Sequence, residues 1–132
     1  MKGRKRHILV DTLGLLLAVL VNPANTSDAA GAIELMARVK GVLVRLGIVY
    51  ADGAYAYDSV AEACGTVNEA RLAVVKRTDP GFKVLPKRWI VERTLAWLGR
   101  NRRLSKDYEE LPQVSEAFVK LAMIRLMTAR LA

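Results

Sequence analysis

Ile48-Val49-Tyr50-Ala51-Asp52-Gly53-Ala54-Tyr55 is the stretch on which the fold turns. Four apolar residues run without alternation and give way at once to an acid and a glycine-containing turn. A short unbroken run of this kind suits a strand buried on both faces, the habit of parallel strands in α/β proteins. It puts Asp52 at the carboxyl end of that strand, and ligands of α/β sheets bind outside those ends. The same position suits a residue that only starts a turn or caps the next segment. Position alone leaves both readings open.

The flanking sequence extends the α/β pattern. Upstream, Arg6 to Thr12 and Leu15 to Val21 are rich in strand-forming residues, and Asp11-Thr12-Leu13-Gly14 between them has turn chemistry with Gly last, so a β-hairpin is expected. Asn22, Pro23, Asn25 and Thr26 break that pattern. Ser27 or Asp28 can then cap a helix carrying Ala32, Leu35, Met36, Val39, Val42, Leu43 and Leu46 and ending near Gly47. Downstream, Ser59 to Cys64 reads as a short helix, Arg71 to Val75 as another strand, and Thr78-Asp79-Pro80-Gly81 as a loop. A longer helix starts near Lys87, with Val91, Leu95 and Leu98 as an i, i+4, i+7 core stripe widened by Trp97. Arg88, Glu92 and Arg103 fall in one narrow sector on its other side. From about Ser115 to Leu131 a strongly apolar helix, with Phe118, Leu121, Ala122, Ile124 and Leu126, predicts core or interface. No repeat or linker interrupts the alternation, which predicts one α/β domain over residues 1–132.

Composition narrows the function classes. At 132 residues with 52% apolar and 26% charged residues, the chain can bury roughly two-thirds of its unfolded surface and is not a disordered polymer. The single cysteine, Cys64, excludes an internal disulfide and is expected to be a small buried hydrophobe. With His7 as the lone histidine, no Cys/His zinc cluster can be assembled. Leu13 to Val21, the longest apolar run, falls far short of the about 20 residues that span a bilayer, and Asp11 and Thr12 spoil a signal-peptide reading. A cytoplasmic protein without membrane association is expected.

The net charge is +8, and from Lys76 to Lys106 ten basic residues face two acids, so this segment holds the whole excess. A polyanion is the natural partner. Arg and Lys contacts to phosphates would give sequence-independent, salt-sensitive affinity; a merely soluble face is the plainer alternative. Glu92 lies between Arg88 and Arg93, where a carboxylate could stay ionised beside a divalent cation and a phosphate backbone. An ordinary i, i+4 pair with Arg88 accounts for it equally simply. Trp89 and Trp97 suit the core better than base stacking.

Three phrases of the sequence, taken together, carry a resemblance. Lys2-Gly3-Arg4-Lys5-Arg6-His7-Ile8-Leu9-Val10-Asp11-Thr12 opens the chain, Ala51-Asp52-Gly53-Ala54-Tyr55 follows, and Arg88-Trp89-Ile90-Val91-Glu92-Arg93-Thr94 leads to Trp97-Leu98-Gly99-Arg100-Asn101-Arg102-Arg103. In this order they resemble bacterial insertion-sequence transposases of the DDE class, over nearly the whole chain. The resemblance implies an RNase H-like mixed sheet with flanking helices. It also implies a catalytic triad of two aspartates and a glutamate around two divalent ions, Mg²⁺ or Mn²⁺, that cuts a DNA strand and joins its end elsewhere. Asp52 corresponds to the second aspartate and Glu92 to the glutamate, as catalytic residues and metal ligands. Arg88 corresponds to a basic partner near the cut, and Arg93, Arg100, Arg102, Arg103 and Lys106 are the further DNA-binding candidates. The lysine that often follows the glutamate by seven residues is Gly99 here, with Arg100 or Arg103 as candidates to replace it.

The family's first aspartate lies on a strand upstream of the opening phrase, so the expectation is a domain truncated at its N-terminal side, with two of three acids and no activity alone. Asp11, at the hairpin turn, corresponds to an additional aspartate rather than a catalytic one. Losing a central first strand would leave a gap in the sheet, force the hairpin to pair with Ile48 to Ala51, or require a borrowed strand, each at a cost in stability. The implied partners are DNA, as transposon ends and target, and another copy or a full-length transposase, at the nucleoid. A non-catalytic basic DNA-binding remnant, or an interfering partner of an intact transposase, is the competing class. A longer reading frame that supplies the strand is a third.

Overall fold

The computed structural model describes residues 3–75, 88–100 and 111–131, the side chains of Arg88, Trp89 and Glu92 excepted. The described elements are β1 (Arg4–Val10), β2 (Leu16–Pro23), α1 (Asp28–Val39), β3 (Ile48–Asp52), a 3-10 turn (Gly53–Tyr55), α2 (Asp58–Gly65), β4 (Arg71–Val75), α3 (Arg88–Gly99) and α4 (Pro112–Leu131). Among the described residues the fold is mixed α/β, with the strands in two two-stranded sheets. The chain divides into two compact units, Met1–Thr26 with Ile90–Ala132 and Ser27–Trp89.

The first unit is built on the β1–β2 hairpin, antiparallel from Arg4 opposite Pro23 to Val10 opposite Leu16, with a register shift at Leu9/Val10. Its turn is organised by one carboxylate: Asp11 Oδ1 accepts the backbone N–H of Leu13 and of Leu15, both at 2.9 Å. Gly14 adopts φ +83° and donates its N–H to the Asp11 carbonyl at 3.0 Å. That left-handed backbone suits glycine because it has no Cβ. Side chains of α3 press on the same point. Thr94 Oγ1 donates to the Gly14 carbonyl, and Arg93 Nη2 donates to the Leu13 carbonyl at 2.9 Å.

The core of this unit joins Val19 of β2 to Leu98 of α3 and to Val119 and Met123 of α4, with Ile8, Leu16, Phe118 and Leu126 packed around them. α4 also closes the outer edge of β2, where the buried Glu116 accepts the Val21 N–H at 3.0 Å. Strand edges left open invite mispairing, and a carboxylate bonded to the ladder position prevents it there.

The second unit is a strand, helix, strand unit. β3 and β4 pair in parallel, Ile48 opposite Arg71 through Asp52 opposite Val75, and α2 provides the crossover that parallel pairing requires. Before β4 the chain reverses at Asn68 and Glu69, both at positive φ (54° and 56°), with Ala70 N–H donating to the Val67 carbonyl at 3.1 Å. Positive φ at both central residues is the type I′ arrangement. Leu35, Met36 and Val39 of α1, Val60 and Cys64 of α2, and Val49 of β3 are buried.

Several expectations need correction. The helix from Ser27 stops at Val39, because Gly41 at φ +79° provides a left-handed C-terminal stop; Val42, Leu43 and Leu46 keep the helical period but lie beyond it. β3 is not buried on both faces, since Ile48 and Tyr50 are 41% and 46% exposed. The buried stripe of α3 is Ile90, Thr94 and Leu98, rotated from the expected one, and Leu95 is exposed. Thr94 can be buried because its hydroxyl is bonded to Gly14. On α4, Leu121 and Ile124 are exposed, and Ser115 and Glu116 are buried with Val119 and Met123. Among the described residues the hairpin does not pair with β3. The Thr78 to Gly81 loop lies outside the described residues.

Two substitutions at positive φ should act in opposite directions in urea unfolding. A Cβ on Gly14 would stand 2.8 Å from Thr94 Oγ1, 3.0 Å from Arg93 Nη2 and 3.2 Å from Trp97 Cζ3, so Gly14→Ala should destabilise by about 2–4 kcal/mol. Glu69→Gly removes a left-handed penalty at an exposed turn and should stabilise by up to about 1 kcal/mol.

Candidate functional site

Asp52 is the last residue of β3, half-buried, at the carboxyl end of the parallel pair. The polypeptide turns there because Asp52 caps the 3-10 turn: its Oδ1 accepts the Ala54 N–H at 2.9 Å, with extended backbone at φ −81°, ψ 179°. The turn-capping reading of Asp52 therefore holds, with one carboxylate oxygen making the cap. Tyr55 completes this corner. Burial pushes its phenol pKa up, and the nearby carboxylates of Asp28 and then Asp52 push it further. Asp28 reaches it from the first turn of α1, which packs on the 3-10 turn. The sequence offered Asp28 only as a helix cap and Tyr55 only as part of the phrase around Asp52, and neither as a member of this corner.

Hard oxygen donors of this kind suit Mg²⁺, which is commonly held by one or two carboxylates plus substrate phosphates. Among the described residues, no group of three or more His, Cys, Asp or Glu side chains is placed to hold a metal ion. Asp52 belongs to the unit Ser27–Trp89, and Glu92, in the first half of α3, belongs to the other. Glu92 and Arg88 are located on the α3 backbone.

The remaining basic candidates separate clearly. Arg93 is tied into the fold, with Nη2 on the Leu13 carbonyl and its guanidinium 4.6 Å from the centre of the Trp97 ring. Arg100 is exposed at the end of α3, its backbone N–H on the Trp97 carbonyl at 3.3 Å. Arg102, Arg103 and Lys106 lie outside the described residues. A basic residue that sequence did not single out, Arg130 in the last turn of α4, lies over the same indole at 4.4 Å. Asp11 is occupied with the hairpin turn, and Cys64 is a buried free thiol whose pKa burial raises. No helix of the described residues is long and apolar enough to cross a membrane.

Asp52 thus stands at the carboxyl end of a parallel strand pair, and Glu92 lies on a later helix of the other unit. The chain belongs to the family described as Transposase DDE domain, whose model matches residues 1–127. It is 32% identical over 126 residues to a Burkholderia cepacia protein ascribed to insertion sequence element IS402 as its transposase. That match covers 90% of this chain and 60% of the relative, so the chain spans about three-fifths of that protein's length. No solved structure matches the chain.

The Tyr55 environment makes a pH-dependent prediction. A raised phenol pKa in the folded state means that the unfolded chain loses this proton first. The contribution is therefore complete below the ordinary phenol value of 10.0 and is lost as pH rises through the higher folded value. Urea unfolding from neutral to strongly alkaline pH should show a steeper alkaline loss of stability for the native chain than for Tyr55→Phe. Parallel curves would show that Tyr55 is not the group responsible.

Proposed function

We propose that this chain is part of a DDE recombinase acting in DNA transposition, with an RNase H-like catalytic fold and Asp52 and Glu92 as two of its three metal-binding carboxylates. The observation that carries the reading is the family match over residues 1–127, together with Asp52 at the carboxyl end of β3 with one carboxylate oxygen beyond its cap. Antiparallel β1–β2 followed by parallel β3–β4 across a helix is compatible with the RNase H-like order. Two divalent ions, when bound, supply activation of the attacking oxygen and stabilisation of the leaving oxygen in strand cleavage and strand transfer. Asp52 is held in place by the Ala54 N–H. Tyr55, uncharged at neutral pH, adds no negative charge beside it.

DNA is the proposed partner. Arg88, Arg93, Arg100, Arg102, Arg103 and Lys106 are the proposed backbone contacts, with Arg93 also fixing the hairpin turn. The family's other aspartate has no matched position in this sequence, so on this reading a strand carrying it comes from a longer chain or from an associated transposase. A basic DNA-binding protein without chemistry is the second reading, favoured by the net charge of +8.

The deciding experiment joins a family-type strand bearing aspartate ahead of Met1 and assays Mg²⁺-dependent cleavage of transposon-end DNA, with the unextended chain beside it. Cleavage should require the added strand and should fall to background in Asp52→Asn and in Glu92→Gln, while all variants keep salt-sensitive DNA binding. Cleavage that survives both substitutions would overturn the assignment. Binding with no cleavage in any form would favour the second reading.

A further inference from the structure

The charge is unevenly shared between the two units. The unit Met1–Thr26 with Ile90–Ala132 contains twelve Lys/Arg and six Asp/Glu, a net +6 of the total +8. Two of its acids are committed to backbone N–H groups, Asp11 in the hairpin turn and Glu116 on the β2 edge. On α3, Arg93, Trp97 and Arg100 follow at i, i+4 and i+7, a single stripe of the helix. The indole of Trp97 carries two guanidinium groups, that of Arg93 at 4.6 Å and that of Arg130 at 4.4 Å. Arg130 is exposed, and among the described residues no carboxylate is paired with it.

As a staple between α3 and α4 this arrangement achieves little. A cation over a half-buried ring such as that of Trp97 is worth about 0.5–2 kcal/mol. By the two ring distances the guanidinium carbons are no more than about 9 Å apart, where like charges repel by about 0.5 kcal/mol in water and by several times that at lower dielectric. The second guanidinium therefore gains little on its own. An anion at this place reverses the sign of that repulsion. The ring contact also restricts the exposed Arg130 side chain, and a planar fork of N–H donors held in place is suited to phosphate oxygens.

We infer that Arg130 is a contact to the DNA phosphate backbone, with Trp97 as the residue that positions it and Arg93 as the residue that fixes the indole. This rests on the DNA-binding reading above and extends the contact surface beyond the Lys76 to Lys106 stretch, onto the C-terminal helix. Arg100, exposed on the same stripe of α3, continues the surface.

The test is equilibrium binding of the full chain to a fluorescein-labelled duplex of arbitrary sequence, from about 50 to about 200 mM salt. Arg130→Ala should lower the slope of log affinity against log salt by about 0.9, which is about 3.5-fold less salt sensitivity over that range, equally for unrelated sequences. Arg130→Lys should keep the slope, and so should Arg38→Ala, which removes the same charge from the exposed α1 pair with Glu34. Trp97→Ala should reproduce the Arg130→Ala loss, with no further loss in the double variant, and Trp97→Phe should retain most of the binding. If Trp97→Ala unfolds the chain, Arg130→Ala decides alone, because its side chain is exposed.

A slope for Arg130→Ala equal to that of Arg38→Ala, with native binding intact, would overturn this inference and leave the DNA reading standing. Salt-insensitive binding, or none, by the native chain would remove both. Displacement of the duplex by inorganic phosphate at matched ionic strength would mark a free-anion site and overturn the DNA assignment of Arg130.

Discussion

The contact between the hairpin turn and α3 organises the unit that contains both. A two-stranded hairpin is marginal in water and needs a surface to lie on. Here the surface is tied to the turn at two successive carbonyls, Leu13 to Arg93 and Gly14 to Thr94, by residues 80 positions away in the chain. The turn must approach closely for both bonds to form, and only a residue without a Cβ leaves room beside Thr94, Arg93 and Trp97. Once the turn is anchored, the hairpin face carrying Ile8, Leu16 and Val19 meets Leu98 and α4, and apolar burial does the rest.

In the other unit the backbone performs the corresponding task for Asp52. Its position follows from three local conditions: the parallel pairing of β3 with β4, the type I′ reversal that returns the chain from α2, and the cap that Asp52 itself makes on the 3-10 turn. The cap fixes this carboxylate, so that on the proposed reading as a metal ligand it would be held before any ion arrives. Less side-chain freedom then remains to be lost on binding.

Local patterns made much of this architecture legible in the sequence. The hairpin followed from two strand-forming runs around a turn ending in Gly14. β4 followed from Arg71 to Val75, and the placing of Asp52 from the abrupt change after Ala51. What stayed hidden depends on distant partners or on one competing residue. Val42, Leu43 and Leu46 continued the helical period past Gly41, whose left-handed backbone ends the helix. Thr94 reads as a surface residue until the Gly14 carbonyl is known to be beside it, and that pairing rotated the buried stripe of α3. Arg93 and Arg130 each look like one more basic residue, and no local pattern announces that both lie on Trp97. The DDE family phrases pointed to Asp52 and Glu92, while Tyr55 and Asp28 became visible only when α1 was seen against the 3-10 turn.

The carboxylate of Glu116 on the Val21 N–H has a consequence for how this protein can go wrong. Growth of a fibril by strand addition requires two open edges per molecule, one to accept the previous copy and one to template the next. With the Val21 N–H already bonded from within, strand addition on the β2 side would have to displace Glu116. The buried acid thus guards this position of the hairpin edge, and its charge would oppose any intruding backbone carbonyl.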